Sequence, residues 1–147
     1  MTDEELIAAA RAAAMKAYAP YSGFSVGCAI ESDDGQIVTG ANMENACYRL
    51  GICAEQSALT TAQHTFGLAR IRRIAVAGGD GSGEELAGEQ SVTPCGGCRQ
   101  AILEAAHLAG HDLAILAASG DGRTVEHLSI RALIPYGFGP DNLSDGA

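Results

Sequence analysis

Two short segments of the sequence, residues 53–55 and 94–100, carry the side chains best suited to chemistry. Cys95 and Cys98 have Cys-x-x-Cys spacing. Residues three apart in the first turn of a helix share a face, so both sulfurs can bind one metal ion. Pro94 favours the start of a helix at this point, and the free N–H groups of a first helical turn stabilise negatively charged thiolates. The spacing of the second segment therefore allows its two cysteines to bind one metal ion.

A Cys-x-x-Cys pair taken alone is compatible with a redox pair, a structural zinc site or a catalytic zinc site. A redox pair of the thioredoxin type follows a strand at the start of its unit, and the sequence gives no clear sign of that context. A structural site needs a fourth ligand, for which Cys28 and Cys47 are candidates, whereas the four histidines have no metal-ligand spacing to these cysteines. The pair alone leaves the kind of site open.

Cys53 and Glu55 favour the catalytic alternative. Residues two apart do not share a helix face, so the two side chains act together only at a helix N-terminus, where the thiolate binds metal and the carboxylate reaches the open position. A glutamate two residues after the first ligand, followed by Pro-Cys-x-x-Cys, is the signature of the zinc nucleobase deaminases, here with cysteine in place of the more common histidine. The opposing interpretation is a structural zinc module for protein interaction, which requires a fourth protein ligand and leaves Glu55 dispensable.

The hydrophobic pattern predicts the elements that position these residues. It indicates helices at residues 2–18, 53–66 and 94–108, and strands at residues 24–32, 36–42, 71–77 and 113–118. It also indicates a surface loop at residues 78–90 and a mostly irregular region at residues 128–143. This order predicts an α/β fold, a mixed sheet with helices on both faces. A chain of 147 residues has the length of one domain.

The charge balance excludes some classes of partner. Eighteen acidic and nine basic residues give a net charge of −9, which disfavours binding to a nucleic-acid polymer or an anionic membrane. The nearest approach to a basic cluster is Arg70, Arg72 and Arg73, expected to be a solvated helix end. The acidic start does not resemble a signal peptide, and no apolar run reaches the ~20 residues of a membrane span, so we expect a cytoplasmic protein. In the reducing environment of the cytoplasm, five cysteines, an odd number, indicate metal-binding or catalytic roles rather than disulfides.

Five segments in this order, residues 18–27, 42–48, 53–55, 94–100 and 133–143, together resemble the small homotetrameric cytidine deaminases of the three-cysteine zinc type. The resemblance covers nearly the whole chain. It implies a three-layer α/β/α sandwich with a mixed, roughly five-stranded sheet. It also implies a single catalytic domain over residues 1–147, with 128–147 as a C-terminal tail near the active site.

The resemblance implies zinc-dependent hydrolytic deamination of cytidine and 2′-deoxycytidine to uridine and 2′-deoxyuridine with release of ammonia, a reaction of pyrimidine salvage. It implies one Zn²⁺ per chain, held by Cys53, Cys95 and Cys98, which makes a water reactive towards C4 of the cytosine ring. Glu55 then matches the general acid–base that takes the proton of this water, delivers it to N3 and later protonates the departing ammonia.

Four further residues match substrate contacts within one chain. Asn42 and Glu44 are two apart, so on an extended segment they point the same way, and the resemblance assigns them to the ribose 3′-OH. Phe24 matches the residue that packs against the pyrimidine, and Ala54 matches a base contact made through its backbone. Without the resemblance, Phe24 would be interpreted as a core or interface aromatic and the polar pair as ordinary strand-end residues.

Other matches concern the assembly and the metal. Phe138 matches an aromatic that the tail donates to a neighbouring subunit's site, and Ala46 and Tyr48 match positions near the subunit boundary of a homotetramer. The residue after the catalytic glutamate is Gln56, where many relatives carry arginine. A neutral amide replaces a charge-assisted donor to the thiolates there, so the two helix N-termini carry more of the compensation.

One rival within the enzyme class shares the zinc motif: a deaminase for another aminopyrimidine compound, such as the blasticidin S type. The Asn42–Glu44 pair and the tail over residues 135–143 favour plain nucleosides instead. The sequence also contains no evident Lys/Arg pocket for a 5′-phosphate, which favours nucleosides over nucleotides.

Overall fold

A five-stranded mixed sheet organises residues 1–143, the part of the chain that the computed structural model describes. Its strands are β1 (Ser25–Ser32), β2 (Ile37–Ala41), β3 (Ile71–Gly79), β4 (Ala114–Ser119) and β5 (Val125–Ser129). Their order across the sheet is β2-β1-β3-β4-β5. The β3–β4 pair is parallel and the other pairs are antiparallel. The expected mixed sheet is therefore confirmed, with five strands.

Four α-helices flank or follow the strands: α1 (Asp3–Ala14), α2 (Ala54–Thr65), α3 (Gly96–Ala109) and the single turn α4 (Ile130–Leu133). Short 3₁₀ turns occur at Tyr48–Leu50, Leu68–Arg70 and Pro140–Asn142. Thr2 and Glu5 form the capping box that begins α1. Within residues 1–143, no helix has both the length and the hydropathy that a membrane span requires.

Side-chain alternation along β1 and β3 gives the sheet two apolar faces. Cys28 and Ile30 belong to the core that α2 and α3 cover, whereas Ala29, Ala75 and Ala77 belong to the core that α1 covers. Because a strand buried on both faces needs apolar residues at successive positions, β1 and β3 each contain a continuous run without charged or polar side chains, at residues 26–30 and 74–79. The three-layer α/β/α sandwich is confirmed.

Two glycines set how closely the helices approach the sheet. A Cβ built on Gly27 would lie 1.9 Å from the carbonyl oxygen of Ala10 in α1. A Cβ on Gly40 would lie 2.4 Å from the backbone nitrogen of Ala58 in α2. Both distances are too short for a side chain, so each helix packs directly on the backbone of a strand. The position of α2 matters most because its N-terminus carries Cys53.

Two element predictions were wrong. Helix α1 ends at Ala14, four residues before the predicted end, because the chain turns towards a bridge between Tyr18 and Met43. The region over residues 128–143 is less irregular than predicted: β5 runs into it, and α4 and a 3₁₀ turn follow. The edge strand β5 is largely exposed, so it has no apolar alternation for a sequence pattern to detect. Residues 144–147 of the expected tail lie outside the described part of the chain.

The arginine cluster is also not the solvated helix end that we expected. Arg73 lies on β3 with a mostly buried side chain, and its Nε donates to Glu31 Oε2 at 2.7 Å. Glu31 is only 1% exposed, and Arg73 also pairs with Asp3 at the start of α1. Arg72 remains exposed, while Arg70 pairs with carboxylates of the β1–β2 turn. Arg73 therefore fastens α1 to the sheet, and Arg70 fastens the β1–β2 turn.

We predict that Arg73→Met lowers the free energy of unfolding by about 3–5 kcal/mol, because it leaves the Glu31 carboxylate buried without its partner. Arg72→Met is the matched control. Its side chain is 63% exposed and its nitrogen is 3.5 Å from Glu31, so we expect a cost of no more than ~1 kcal/mol. Urea denaturation at one fixed chain concentration measures both, since association also contributes to stability. Equal costs would contradict the assignment of Arg73 as the main partner.

Candidate active site

Two helix N-termini bring three cysteines together. Cys53 is the N-cap residue of α2, Cys95 is the N-cap residue of α3, and Cys98 lies in the first turn of α3. Both helices pack on the same face of the sheet, so their N-terminal ends meet. The three Sγ atoms lie within 4.8 Å of one another, with 4.0 Å between those of Cys53 and Cys95. The two segments singled out in the sequence thus form one cluster.

The donor set fits a zinc ion. Tetrahedral zinc with Zn–S bonds of 2.3 Å places two thiolates about 3.8 Å apart, close to the Cys53–Cys95 distance. A disulfide requires a sulfur–sulfur distance of about 2.05 Å, so these two cysteines are not bonded to each other. Among residues 1–143, this trio is the only group of three or more His, Cys, Asp or Glu side chains arranged to hold a metal. Cys28 and Cys47, the candidates for a fourth ligand, are not part of it.

The local environment acts differently on the three thiols. The backbone N–H of Cys98 donates to the sulfur of Cys95 and lowers its pKa, as expected at a helix N-terminus. Burial raises the pKa of the Cys53 and Cys98 thiols, because a low-dielectric surrounding disfavours a lone negative charge. A bound divalent cation removes that penalty and selects the thiolate form of all three residues.

Glu55 lies in the first turn of α2 and is 4% exposed. Burial raises the pKa of its carboxyl group. The other buried carboxylate, Glu31, pairs with arginine, whereas Glu55 has no basic partner among residues 1–143. A buried carboxyl group with a raised pKa and no counter-ion, beside a metal-ligand cluster, is suited to accepting and returning a proton.

Gln56 follows on the exposed side of the same turn. Its Nε2 atom lies 3.9 Å from the sulfur of Cys98, the length of a weak hydrogen bond to sulfur. The side chain therefore offers the buried ligand one neutral donor. Through this contact the amide can partly stabilise the negative charge of the Cys98 thiolate.

Asn42 and Glu44 both hold the turn that carries Phe24. The Asn42 side chain accepts from the backbone N–H of Val26 at 2.8 Å and donates to the carbonyl of Phe24 at 2.9 Å. The Glu44 carboxylate accepts from the backbone N–H groups of residues 21 and 22, at 2.9 and 3.0 Å, and from the Ser22 hydroxyl. The Ser22 hydroxyl lowers the pKa of Glu44 and keeps it ionised. Sequence reasoning missed these contacts, because they depend on the position of the turn relative to the end of β2.

Phe24 presents its ring at the sheet edge, 44% exposed. A Cβ built on Gly78 of β3 would lie 3.2 Å from the ring atom Cε2 and 3.2 Å from Val26. The ring therefore lies over a glycine, against an aliphatic neighbour. Ala54, the first residue of α2, is fully buried between Cys53 and Glu55.

Ala46 and Tyr48 lie on the exposed surface next to Glu44. Tyr48 is 78% exposed, and its ring meets that of Tyr21 edge to face with 5.7 Å between centroids. A cavity of about 350 Å³ is lined by Tyr21, Ser22, Glu44, Asn45, Tyr48 and Gly51. The segment after β2 thus forms an open aromatic and acidic depression.

Phe138 is placed elsewhere. Its backbone lies against α3 of its own chain, its side chain is 58% exposed, and it borders a cavity with Gln100 and Glu104. Within one chain, Phe138 and Glu44 therefore line different cavities. Sequence reasoning also missed Arg99 and Gln100, whose side chains hold the carbonyls of residues 133 and 138 at 2.9 and 2.7 Å. Only their position directly after the second cysteine marks them.

Known proteins share both the sequence and the fold. A family model described as "Cytidine and deoxycytidylate deaminase zinc-binding region" matches residues 1–109. A cytidine deaminase of Mycobacterium tuberculosis is 40% identical over 131 residues, covering 89% of this chain and 85% of that protein. A cytidine deaminase of Sporosarcina psychrophila is 34% identical over 147 residues, covering 100% and 98%.

Solved structures agree with the sequence relatives. The crystal structure of a cytidine deaminase from Burkholderia pseudomallei matches with a TM-score of 0.80 and 38% identity, covering 94% of this chain and 100% of that one. The crystal structure of the Mycobacterium tuberculosis enzyme matches with a TM-score of 0.70 and 36% identity, covering 95% and 99%. The sequence match, the shared fold and the three-cysteine cluster lead to the same conclusion. The chain belongs to the zinc-binding cytidine and deoxycytidylate deaminase family.

Proposed function

We propose that this protein hydrolyses cytidine and 2′-deoxycytidine to uridine and 2′-deoxyuridine with release of ammonia, as an enzyme of pyrimidine salvage. The observation that carries the proposal is the buried, unpaired carboxyl group of Glu55 at the edge of a three-cysteine cluster. Three protein ligands leave the fourth tetrahedral position open for catalysis. The relatives named cytidine deaminase align over nearly the whole chain, which supports the nucleoside substrate.

Cys53, Cys95 and Cys98 would hold one zinc ion, which when bound acts as a Lewis acid that makes water nucleophilic near neutral pH. Glu55 accepts the proton that this water loses as it attacks C4 of the ring. The same carboxyl group then protonates N3, which lets the double bond shift. A second transfer through Glu55 moves the remaining proton of the added hydroxyl to the exocyclic nitrogen. The C4–N bond breaks, a C4 carbonyl forms and ammonia departs.

The residues that flank the β1–β2 hairpin and the first residue of α2 supply the substrate contacts of the proposal. Phe24 packs against the pyrimidine, and the backbone of Ala54 contacts the base. Asn42 and Glu44 bind the 3′-OH, which ribonucleosides and deoxyribonucleosides share. Each amide or carboxylate group has more hydrogen-bonding positions than its backbone contacts use, so both can hold the turn and bind a hydroxyl. The ionised Glu44 disfavours a phosphate on the 3′ oxygen, and the sequence has no evident Lys/Arg pocket for a 5′-phosphate, which supports nucleosides over nucleotides.

The proposed assembly is a homotetramer in which neighbouring chains complete each other's sites. Large apolar side chains cluster on the surface of residues 18–21 and 43–52, at Tyr18, Tyr21, Met43, Tyr48, Leu50 and Ile52. Exposed apolar clusters of this kind mark interaction surfaces. Phe138 is expected to enter a neighbour's site there, with Ala46 and Tyr48 at the boundary.

Two further proposals concern domain and compartment. Residues 1–147 form one catalytic domain, with 128–147 as its tail. The protein acts in the cytoplasm, where a reducing environment keeps three cysteines available as metal ligands. Its net charge of −9 supports a free small-molecule substrate over a nucleic-acid polymer or a membrane.

The first test follows the absorbance change of cytidine on conversion to uridine. We expect the purified protein to consume cytidine and 2′-deoxycytidine, to lose that activity when zinc is removed by chelation, and to recover it when zinc is restored. Blasticidin S is assayed in parallel. Turnover of blasticidin S without turnover of cytidine would replace the proposed substrate, and a protein that binds no zinc would overturn the site.

We predict that Glu55→Gln keeps one zinc per chain but lowers kcat by at least ~10²-fold, because the amide cannot carry the proton. Cys95→Ser is expected to lose zinc as well as activity. Cys47→Ser is the control. Because Cys47 lies outside the cluster, we expect this variant to keep both its zinc and its activity. Metal analysis and kcat measured on the same preparations check all three. Substantial turnover by Glu55→Gln would reject the proton-transfer role.

We predict that Gln56→Arg moves the acidic limb of the kcat–pH profile to lower pH without changing zinc content. Three thiolates and Zn²⁺ have a net charge of −1, and a guanidinium near Cys98 would offset it with charge-assisted hydrogen bonds. Less negative charge favours the deprotonated form of any group in the site that must lose a proton. Gln56→Lys serves as a comparison, with a charge but no planar fork. Superimposable profiles for the wild type and Gln56→Arg would show that this position has no electrostatic effect.

A further inference from the structure

The tail is fastened to the helix that carries two of the proposed zinc ligands. The Nε2 atom of Gln100 donates to the carbonyl oxygen of Phe138 at 2.7 Å. The Leu103 side chain lies so close to Gly137 that a Cβ built there would be 2.7 Å from Leu103 Cδ2. Residues 100 and 103 share one face of α3, because residues three apart in a helix are neighbours. The tail therefore packs along this face of α3.

Further contacts hold the tail against the same face. His107, on the same face one turn further along α3, lies with its Nδ1 3.2 Å from Asp141 Oδ1. The Asn142 side chain accepts from the backbone N–H of Gly139 at 2.9 Å and closes the last turn. The chain enters this path through Tyr136, a non-glycine residue with φ of 56°, a conformation that costs energy for an L-residue. Several contacts therefore fix the backbone on both sides of residue 138.

The aromatic ring on this fixed backbone is not itself buried. Phe138 is 58% exposed. A phenyl ring left in water contributes little hydrophobic stabilisation to its own chain, so folding of the single chain does not explain its position. The hydrogen bond from Gln100 reaches the carbonyl of that residue, so it fixes the direction from which the ring projects. Phe138 does not border the cavity that Glu44 lines in its own chain, and its exposed ring faces solvent, where a second copy would meet it.

We propose that Gln100 is a positioning residue for the substrate site of a neighbouring subunit, acting through the carbonyl of Phe138. This inference rests on the proposed function and deepens it by naming the residue that sets the donated ring. The competing explanation is local: Gln100 follows Cys98 by two residues, and on this explanation its replacement disturbs the metal cluster of its own chain. The two explanations differ in which subunit is affected.

The first experiment replaces the donor in the purified, zinc-loaded enzyme. Gln100→Glu keeps the size of the side chain but removes the N–H donor, and Gln100→Met is a second, uncharged variant. We expect unchanged zinc content and oligomeric mass, with a roughly five- to ten-fold rise in KM for cytidine and a nearly constant kcat, the size of one lost hydrogen bond that acts on binding. Glu104→Gln is the control, because Glu104 borders the same cavity but forms no hydrogen bond with the tail up to Leu143. Loss of zinc in both variants at position 100, or a wild-type KM in both, would overturn the inference.

The second experiment asks which subunit is affected. Gln100→Glu chains are reassembled with an excess of Glu55→Gln chains, which have no working site but an intact tail. We expect the KM of the remaining active sites to return to the wild-type value, because most of them take Phe138 from a Glu55→Gln neighbour. Reassembly with chains that carry both substitutions should leave the KM raised.

A KM that stays raised in the first mixture would show that Gln100 acts within its own chain, and an active wild-type monomer would equally overturn the inference. These outcomes are distinct from failure of the proposed function, which would appear as a wild-type protein that does not turn over cytidine.

Discussion

The meeting of two helix N-termini at one point is the constraint on which the rest of the structure depends. Three thiol groups within 4.8 Å of one another are unfavourable once ionised, unless positive charge lies among them. The N-terminal N–H groups of α2 and α3 supply part of it, and the metal supplies the rest. The geometry follows from the sheet, because both helices pack on one face and α2 approaches the β2 backbone closely at Gly40.

Charge is finely balanced around this cluster. Burial raises the pKa of Cys53, Cys98 and Glu55, so without a cation the surroundings disfavour the charged form of each of these groups. The lowered pKa of Cys95 is the exception, and it follows from the N–H groups of the α3 N-terminus. Gln56 adds a neutral donor rather than a positive charge. The N-termini of α2 and α3 therefore stabilise more of the thiolate charge here than they would if an arginine replaced Gln56. Burial strengthens the interaction of each helix dipole with that charge, because the local dielectric is low.

The sequence predicted features that depend on local spacing and missed those that depend on distant contacts. The metal ligands and Glu55 were recognisable because helix geometry fixes what residues two and three apart can reach. The exposed edge strand β5 has little apolar periodicity and was missed. The contacts of Asn42 with the Phe24 turn span sixteen or more residues and follow from register. The same limit applies to Arg73, whose partner Glu31 lies on the neighbouring strand.

The site is built from parts of unequal completeness within one chain. The metal cluster joins the buried Cys98 to the partly buried Cys53 and the exposed Cys95, and the Phe24 turn is held by two polar side chains that follow β2. Beyond that turn, Tyr48 and its apolar neighbours face solvent. The tail presents a second exposed aromatic ring, that of Phe138, on a backbone fixed against α3. The fold of one chain therefore assembles the chemical groups, and in the proposed assembly a second chain would enclose the substrate and exclude water from it.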